Sequence, residues 1–513
     1  MTQQNKTRMG VTAAASLALA VGLAACNNDN LTAVNNNPNA PTDAPATALF
    51  TNAVQTGVSR WLGSGYDLRN LELIVQHLAE NQYIGNDVYA GVAASSLSGT
   101  FTGAYSGELE DLQIVARKGA AASDVTISDP AIIFQQWEYG YLTDTWGDVP
   151  YSQALAGDSS TKVLNPMYDA QKTIYTGMMA KLQKAATDLA GKTTGNLGTA
   201  DPIYNGSPAA WAKFANSLHA RDAMRIVNAD PTTASAELKA AFTAPGGVFT
   251  SNADNAVLKW PGDGIYNNPW AVNFASRDDD RMSKTFIDTL SANKDPRLPI
   301  FAMPAEANGQ YVGQPNGLTN ATAVAYSSSS SRPGAVFYPG PVPYGSGNYG
   351  GAGNSYPSYI MTYAEVAFIQ AEAAERGLGG LTPGQAAGFY TAGITASMQQ
   401  WGVKASDITA YLAQPSVAYK GGATGLKQIA TQKWIALYSD GGQAWFEWRR
   451  TCVPNIKPGP AAKLSYVPRR VKYPSAEASA NADAIAAAVA DQGPDANSTP
   501  VWWDKTASAP TCK

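Results

Sequence analysis

Two kinds of sequence alternate along this chain of 513 residues, and that alternation limits the fold more than any other feature. One kind carries apolar residues at helical spacing. Leu49, Ala53 and Val54 share a face in residues 46–60, and Leu71, Ile74, Val75 and Leu78 do so in 68–83. The same spacing predicts helices near 105–118, 130–144, 168–190, 208–228, 282–292, 358–376, 383–400, 424–440 and 443–450. Residues 168–190 with 208–228, and 358–376 with 383–400, read as helical hairpins. The small residues of Ala364, Ala371 and Ala373 allow the close crossing of a tetratricopeptide-type pair. The other kind of sequence is the stretch 245–357, where prolines recur from Pro261 to Pro357 among Gly/Tyr-rich runs. Loops of that length inside a folded protein are functional or disordered, and nine Trp and Tyr residues from Trp260 to Tyr356 argue against disorder. The expectation is a mainly α fold, a helix-pair body carrying a long loop-rich ligand-binding region at about 245–357.

The N-terminus indicates the compartment. Lys6 and Arg8 precede the charge-free run Val11 to Ala25, which ends in Leu23-Ala24-Ala25-Cys26. Fifteen residues fall short of the ~20 that span a bilayer but suit the apolar part of a signal peptide. Small residues before a cysteine resemble a lipobox, so residues 1–25 read as a signal and Cys26 as the acylated first residue; the alternative is an ordinary signal with a stray cysteine. Several acyl chains at ~0.8 kcal/mol per buried methylene make a lasting anchor. Residues 26–46 then form a flexible tether and 47–513 one domain. Export leaves Cys452 and Cys512 in an oxidising space, where an even number favours a disulfide over two separate thiols.

Composition excludes several classes. Net charge is −4, so no basic surface draws nucleic acid. Only His77 and His219 are available as imidazoles, too few for a multi-histidine zinc centre, and no phosphate-binding glycine motif is present. No cofactor or metal site is expected. Charged residues are 15% of the chain, against ~25% in ordinary soluble domains, which favours neutral ligands.

Aromatic rings in loops are the candidate chemistry. A sugar presents an apolar C–H face that an exposed Trp or Tyr can cover, while Asn, Asp, Gln or Arg read its hydroxyls. Trp260, Tyr266 and Trp270 fall within eleven residues beside Asn267, Asn268 and Asn273 and form a candidate platform, with Tyr338 and Tyr344 as further candidates. The alternative is that these rings pin the loop to the body. Asp144 and Asp148 have the spacing of a possible acid and base pair, but capping and turn bonding explain both, so no catalytic residue is assigned. Asp278-Asp279-Asp280 between Arg277 and Arg281 reads as a solvated helix start. Trp445, Trp448, His77 and His219 read as core residues. The pairs Arg449/Arg450 and Arg469/Arg470 are expected to bind carboxylates such as Glu365, Glu372, Glu447 or Glu477.

Six stretches in order resemble the SusD/RagB family of outer-membrane nutrient-binding lipoproteins, in its "SusD-like, starch-binding associating with outer membrane" branch. They are Asn36-Asn37-Pro38-Asn39-Ala40-Pro41, Leu142-Thr143-Asp144-Thr145-Trp146-Gly147-Asp148-Val149-Pro150-Tyr151-Ser152, Trp211-Ala212-Lys213-Phe214-Ala215-Asn216-Ser217-Leu218 with Arg221 and Arg225, Asp295-Pro296-Arg297-Leu298-Pro299, Tyr363-Ala364-Glu365-Val366, and Pro468-Arg469-Arg470 with Tyr473-Pro474 and Glu477. The resemblance implies a non-catalytic protein at the cell surface that captures oligosaccharide, or in some members oligopeptide. It also implies a TonB-dependent β-barrel transporter as partner and contact with the outer membrane through the lipid anchor only. The family's early ligand loop would fall around Tyr83 to Tyr105, which adds Tyr83, Tyr89 and Phe101 as candidates.

If Cys26 carries the anchor, Cys26→Ser should abolish incorporation of labelled palmitate and release the protein from the membrane fraction. Label retained in the variant would reject the lipobox.

Overall fold

Phe50, Val54, Val58 and Trp61 recur on one face, and burying that face makes Ala46–Trp61 the first helix, α1. The computed structural model describes residues 44–93, 97–157, 162–344, 347–350, 352–504 and 512. The expected signal, Cys26 and nearly all of the tether lie outside the described residues. Residues 46–513 cluster as one unit.

Helices α2 (Glu108–Ala121), α3 (Val125–Trp146), α4 (Gln171–Leu189), α5 (Pro208–Arg225) and α6 (Pro231–Thr243) follow. Their starts are chemically marked. The Asp124 carboxylate accepts the Thr126 N–H at 2.9 Å, Ser207 caps α5 with Pro208 in its first turn, and Asp230 caps α6 at Thr233. Helix α7 (Tyr363–Glu375) is capped by Thr362, and α8 (Pro383–Gln400) starts where Gln385 accepts the Thr382 N–H at 2.9 Å. Helices α9 (Gly422–Ala436), α10 (Gly441–Thr451) and α11 (Ala482–Gln492) complete the body.

Helices α4 and α5 pack together, as do α7 and α8, so the helix-pair reading holds and the fold is mainly α. Close approach in the second pair has a specific cause: a Cβ at Gly393 would stand 2.7 Å from the Phe368 ring, so only glycine fits there.

One expected helix is not formed as such. Residues 68–83 divide into a π-helical turn (Ser64–Leu71), a short α-turn (Glu72–Ile74) and strand β1 (Leu78–Glu80). The apolar run is buried throughout, and burial alone does not separate helix from strand. The remaining strands are short: β2 (Val149–Pro150), β3 (Tyr168–Asp169), β4 (Ala256–Leu258), β5 (Asp280–Met282), β6 (Pro341–Tyr344), β7 (Gly347–Gly350) and β8 (Ser358–Met361). They pair antiparallel as β1–β5, β2–β3, β4–β8 and β6–β7. The acidic run therefore enters strand β5 instead of starting a helix; that role belongs to Ser283, which caps Lys284–Ala292.

Beneath these elements lies a buried ionic network. Arg221 on α5 donates to Glu365 on α7 (Nε–Oε1 2.8 Å), and Arg225 donates to Glu447 on α10 at 2.8 Å. Arg450 bridges Glu372 at 2.7 Å and Glu447 at 2.7 Å, and the Lys433 ammonium on α9 stands 3.2 Å from Glu447. Burial would raise the Glu447 carboxyl, but Arg450, Lys433 and Arg225 together hold it well below its ordinary value. The second arginine pair uses other acids than those expected: Arg469 binds Asp504 (Nε–Oδ2 2.7 Å) and Arg470 binds Asp495 at 2.8 Å. Arg449 donates to the backbone carbonyls of Arg469 and Asp144 and lies 3.9 Å from the Trp445 ring centroid. Cys452 and Cys512 are joined as a disulfide.

Glu447→Gln removes the negative charge that three buried cations share. Breaking one side of such a network costs about 3–5 kcal/mol, so the denaturant midpoint should fall by that equivalent. A loss under ~1 kcal/mol would place the network among dispensable ion pairs.

Candidate functional site

The proposed platform is not assembled at the surface. Trp260 and Trp270 are buried, as are Tyr338 and Tyr89. The Trp260 Nε1 donates to Ser358 Oγ at 2.9 Å. Trp270 lies 4.7 Å from the Phe337 ring and 5.9 Å from Tyr438, and Tyr338 stacks on Phe274 at 4.8 Å. These rings fasten the proline-rich stretch to the helical body, and their burial is what keeps so irregular a segment folded. Tyr266 alone of the three is exposed. It stands on a turn closed by the Gly262 N–H to the Tyr266 carbonyl, with the Asp263 carboxylate accepting the N–H groups of Ile265 and Tyr266. Tyr344 lies on β6, and its side chain is outside the described residues. Phe101 is buried against Trp146 and Tyr105.

Tyr83 is different. Its ring is 70% exposed, and its backbone holds φ at 53°, in the left-handed region that a bulky residue rarely adopts. Strain of this kind persists only where the surroundings fix it. Here β1 fixes it: Ala79 pairs with Arg281 and Glu80 with Asp280 on β5, and the Asn81 N–H extends the ladder to the Asp279 carbonyl at 2.9 Å. The chain then turns sharply, with the Gly85 N–H donating to the Tyr83 carbonyl at 2.6 Å. Just before the facing strand, Arg277 grips the Asp279 carboxylate (Nε–Oδ1 2.9 Å) and holds its guanidinium 5.1 Å from the Tyr83 ring centroid.

The two strand ends enclose a polar cleft of about 290 Å³, lined by Asn81, Gln82, Tyr83, Ser276, Arg277 and Ser327 among others. Exposed apolar side chains flank it in sequence: Val272 ends four residues before Ser276, and Val324, whose carbonyl accepts the Ser327 hydroxyl at 2.7 Å, belongs to the neighbouring turn. The Asn81 Nδ2 donates to that same Ser327 oxygen at 2.9 Å, which fixes the amide's orientation. A ring for stacking, a guanidinium, an amide and hydroxyls thus meet at one opening. Sequence reasoning offers Tyr83 only through the resemblance to the family's early ligand loop and does not make Arg277 a site residue.

The β1–β5 ribbon next to the cleft carries a buried acidic pair. Glu80 and Asp280 face each other across the ribbon, a cross-strand pair that cannot comfortably carry two charges. Burial, with Asp280 and Asp87 beside it, pushes Glu80 up to about 9, and burial with Asp279 beside it pushes Asp280 up to about 7. Arg69 spans Glu80 and Asp279 at 3.3 Å each. Asp278, Asp279 and Arg281 line the cleft beside Arg277, so two acidic and two basic residues stand at the opening.

The two acids weighed as a catalytic pair have structural partners. Asp144 accepts from the Tyr175 hydroxyl and from Trp503 Nε1, both at 2.6 Å, and Asp148 accepts the Gln171 N–H at 2.9 Å where α4 begins. His77 is buried; its Nε2 donates to the Trp434 carbonyl at 3.1 Å, and its Nδ1 lies 2.7 Å from the Glu72 carboxyl. Burial pushes the His77 imidazole down to about 3 and the Glu72 carboxyl well up, which favours a neutral ring with Nδ1 accepting from the carboxyl. His219 is a buried partner of Glu237 at 2.6 Å. No group of acids, histidines or cysteines that could hold a metal ion occurs among the described residues.

A family model described as SusD-like, "Starch-binding associating with outer membrane", matches residues 38–474. Among solved structures, a chitin-binding SusD homolog from Flavobacterium johnsoniae is 26% identical, with a TM-score of 0.76 over 90% of this chain and 98% of that one. A SusD homolog from Bacteroides uniformis is 23% identical, with a TM-score of 0.74 over 90% of this chain and 100% of that one. Another from Bacteroides fragilis is 22% identical, with a TM-score of 0.74 over 91% and 100%. The last two bear on the fold alone. No curated protein matches the sequence.

Because its folded value is raised, Glu80 contributes stability that is complete below its ordinary value of 4.5 and is lost as pH rises through about 9. The thermal midpoint should therefore decline progressively from about pH 5 to about pH 9, and decline less in Glu80→Gln. Parallel profiles for the two proteins would show that Glu80 holds no proton at neutral pH.

Proposed function

The chain belongs to the SusD-like family of starch-binding proteins that associate with the outer membrane, and on that premise we propose that it captures a neutral oligosaccharide at the Tyr83 cleft and delivers it to a TonB-dependent β-barrel transporter. The observation that carries this reading is the exposed, backbone-strained Tyr83 ring held beside Arg277 at the mouth of a polar cleft. A pyranose laid on the ring buries its C–H face, while Gln82, Ser276 and Arg277 are placed to bond its hydroxyls. The low share of charged residues in the chain, 15%, supports a neutral ligand over a charged one. The protein acts by binding and hand-over: Asp144 is buried and held by Tyr175 and Trp503, so Asp144 and Asp148 do not stand as an acid–base pair at one opening.

Attachment through Cys26 at the cell surface completes the reading. It is supported by the lipobox and by the family's association with the outer membrane. Among the described residues no helix is long and apolar enough to cross a membrane. The chitin-binding homologue makes N-acetylated chito-oligosaccharides the first glycans to try, with malto-oligosaccharides beside them.

Calorimetric titration of the full chain should show saturable binding of one of these glycans. Tyr83→Ala should weaken it by the value of one stacked ring, ~1–1.5 kcal/mol or about tenfold, whereas Trp260→Ala should act through stability. Saturation by oligopeptides with no glycan bound would make the peptide reading correct. Release of shortened glycan over time would make the protein a hydrolase.

A further inference from the structure

All twelve tryptophans lie among the described residues, and eleven of them are buried. The exception is Trp502, which is only half-buried and lines a second cleft of about 370 Å³. That volume lies within the range of small-molecule sites, ~300–1,000 Å³. The cleft shares no residue with the Tyr83 cleft.

Trp502 is firmly held. Its neighbours Val501 and Trp503 are buried, Trp503 is tied to Asp144 through its indole N–H, and the Asp504 N–H closes a turn on the Val501 carbonyl at 3.0 Å. Tyr175 lies 6.3 Å from the Trp502 ring and the Lys172 ammonium 5.9 Å from its centroid. Two adjacent indoles cannot both enter the core from so short a turn, and the one left outside faces a concave wall. That wall is polar. Asp148 and Asp491 line it together with Lys172 and Thr173 from the start of α4 and Gln492 from the end of α11. Gln492 accepts the Asp148 N–H and donates to the Tyr473 hydroxyl, Asp148 accepts the Gln171 N–H and bonds Asp491, and Lys172 pairs with Asp230 at 3.3 Å, so the wall is held in place before a ligand arrives.

The combination selects a ligand class. An indole face suits a ring with axial C–H groups, carboxylates accept hydroxyl protons, and an ammonium donates to hydroxyl or ring oxygens. Lys172 disfavours an organic cation on the indole, and the two carboxylates disfavour an anion. A neutral polyhydroxylated ring satisfies all three. We propose that the Trp502 cleft is a second saccharide-binding site, independent of the Tyr83 cleft.

The test is calorimetric titration of the full chain with a chito-hexasaccharide and a malto-hexasaccharide, in wild type, Tyr83→Ala, Trp502→Ala and Asp491→Asn. Support is saccharide binding that survives Tyr83→Ala, weakens about tenfold when Trp502→Ala is added, and weakens severalfold with Asp491→Asn. Asp491 is exposed, so that variant keeps the test open if Trp502→Ala fails to fold. No saccharide bound by the Tyr83→Ala protein overturns the proposal, as does residual binding indifferent to both Trp502→Ala and Asp491→Asn. If Tyr83→Ala changes nothing while Trp502→Ala abolishes binding, the Tyr83 reading fails and this one stands.

Discussion

Charges that cannot reach water hold this body together. Arg221, Arg225, Lys433 and Arg450 meet Glu365, Glu372 and Glu447 where α5, α7, α9 and α10 converge, and every one of these side chains is buried. Hydrophobic packing is indifferent to small rotations of a helix; paired guanidinium and carboxylate groups are not, because a misplaced charge in this interior costs several kcal/mol. The register of α5 and α7 is thereby fixed by Arg221–Glu365, and that of α10 by Glu447. The helix pairs inherit their mutual placement from this centre.

The loop-rich stretch is held by a different interaction. Rings from it enter the body at several points: Trp270 and Phe337 reach Tyr438, Tyr356 stacks on Trp401, and Phe286 meets Trp434. Each such side chain supplies a large apolar area at the cost of few rotatable bonds. Once anchored, the stretch can carry β5 to β1, and the ribbon those two strands form sets Tyr83 against Arg277. A strained exposed ring thus depends on many relaxed buried ones.

Most helices were legible because apolar period, caps and breakers agree. Thr382-Pro383 and the Gly402 beyond Gln400 bracket α8, and Ser207-Pro208 opens α5. The segment 68–83 was not legible, since Leu71, Ile74, Val75 and Leu78 are buried in any conformation and the strand character of 78–80 comes from a partner two hundred residues away. The site was legible only by region. Trp260, Trp270 and Tyr338 offered the right chemistry, yet whether a ring faces in or out depends on tertiary contacts such as Ser358 and Phe274 that spacing does not encode. Tyr83 sat inside the segment read as helix, which hid its turn. The core roles of Trp445, Trp448, His77 and His219 followed from their helical neighbours alone.

The Cys452–Cys512 bridge closes a loop sixty residues long in sequence separation, containing Arg469, Arg470 and α11. Its position gives the C-terminal part of the chain a covalent redundancy. A protease that cuts between the two cysteines severs the backbone without separating the pieces, and the second strand of connection keeps Arg469 and Arg470 beside their acids. A nicked molecule of this kind remains one molecule for as long as the surroundings stay oxidising.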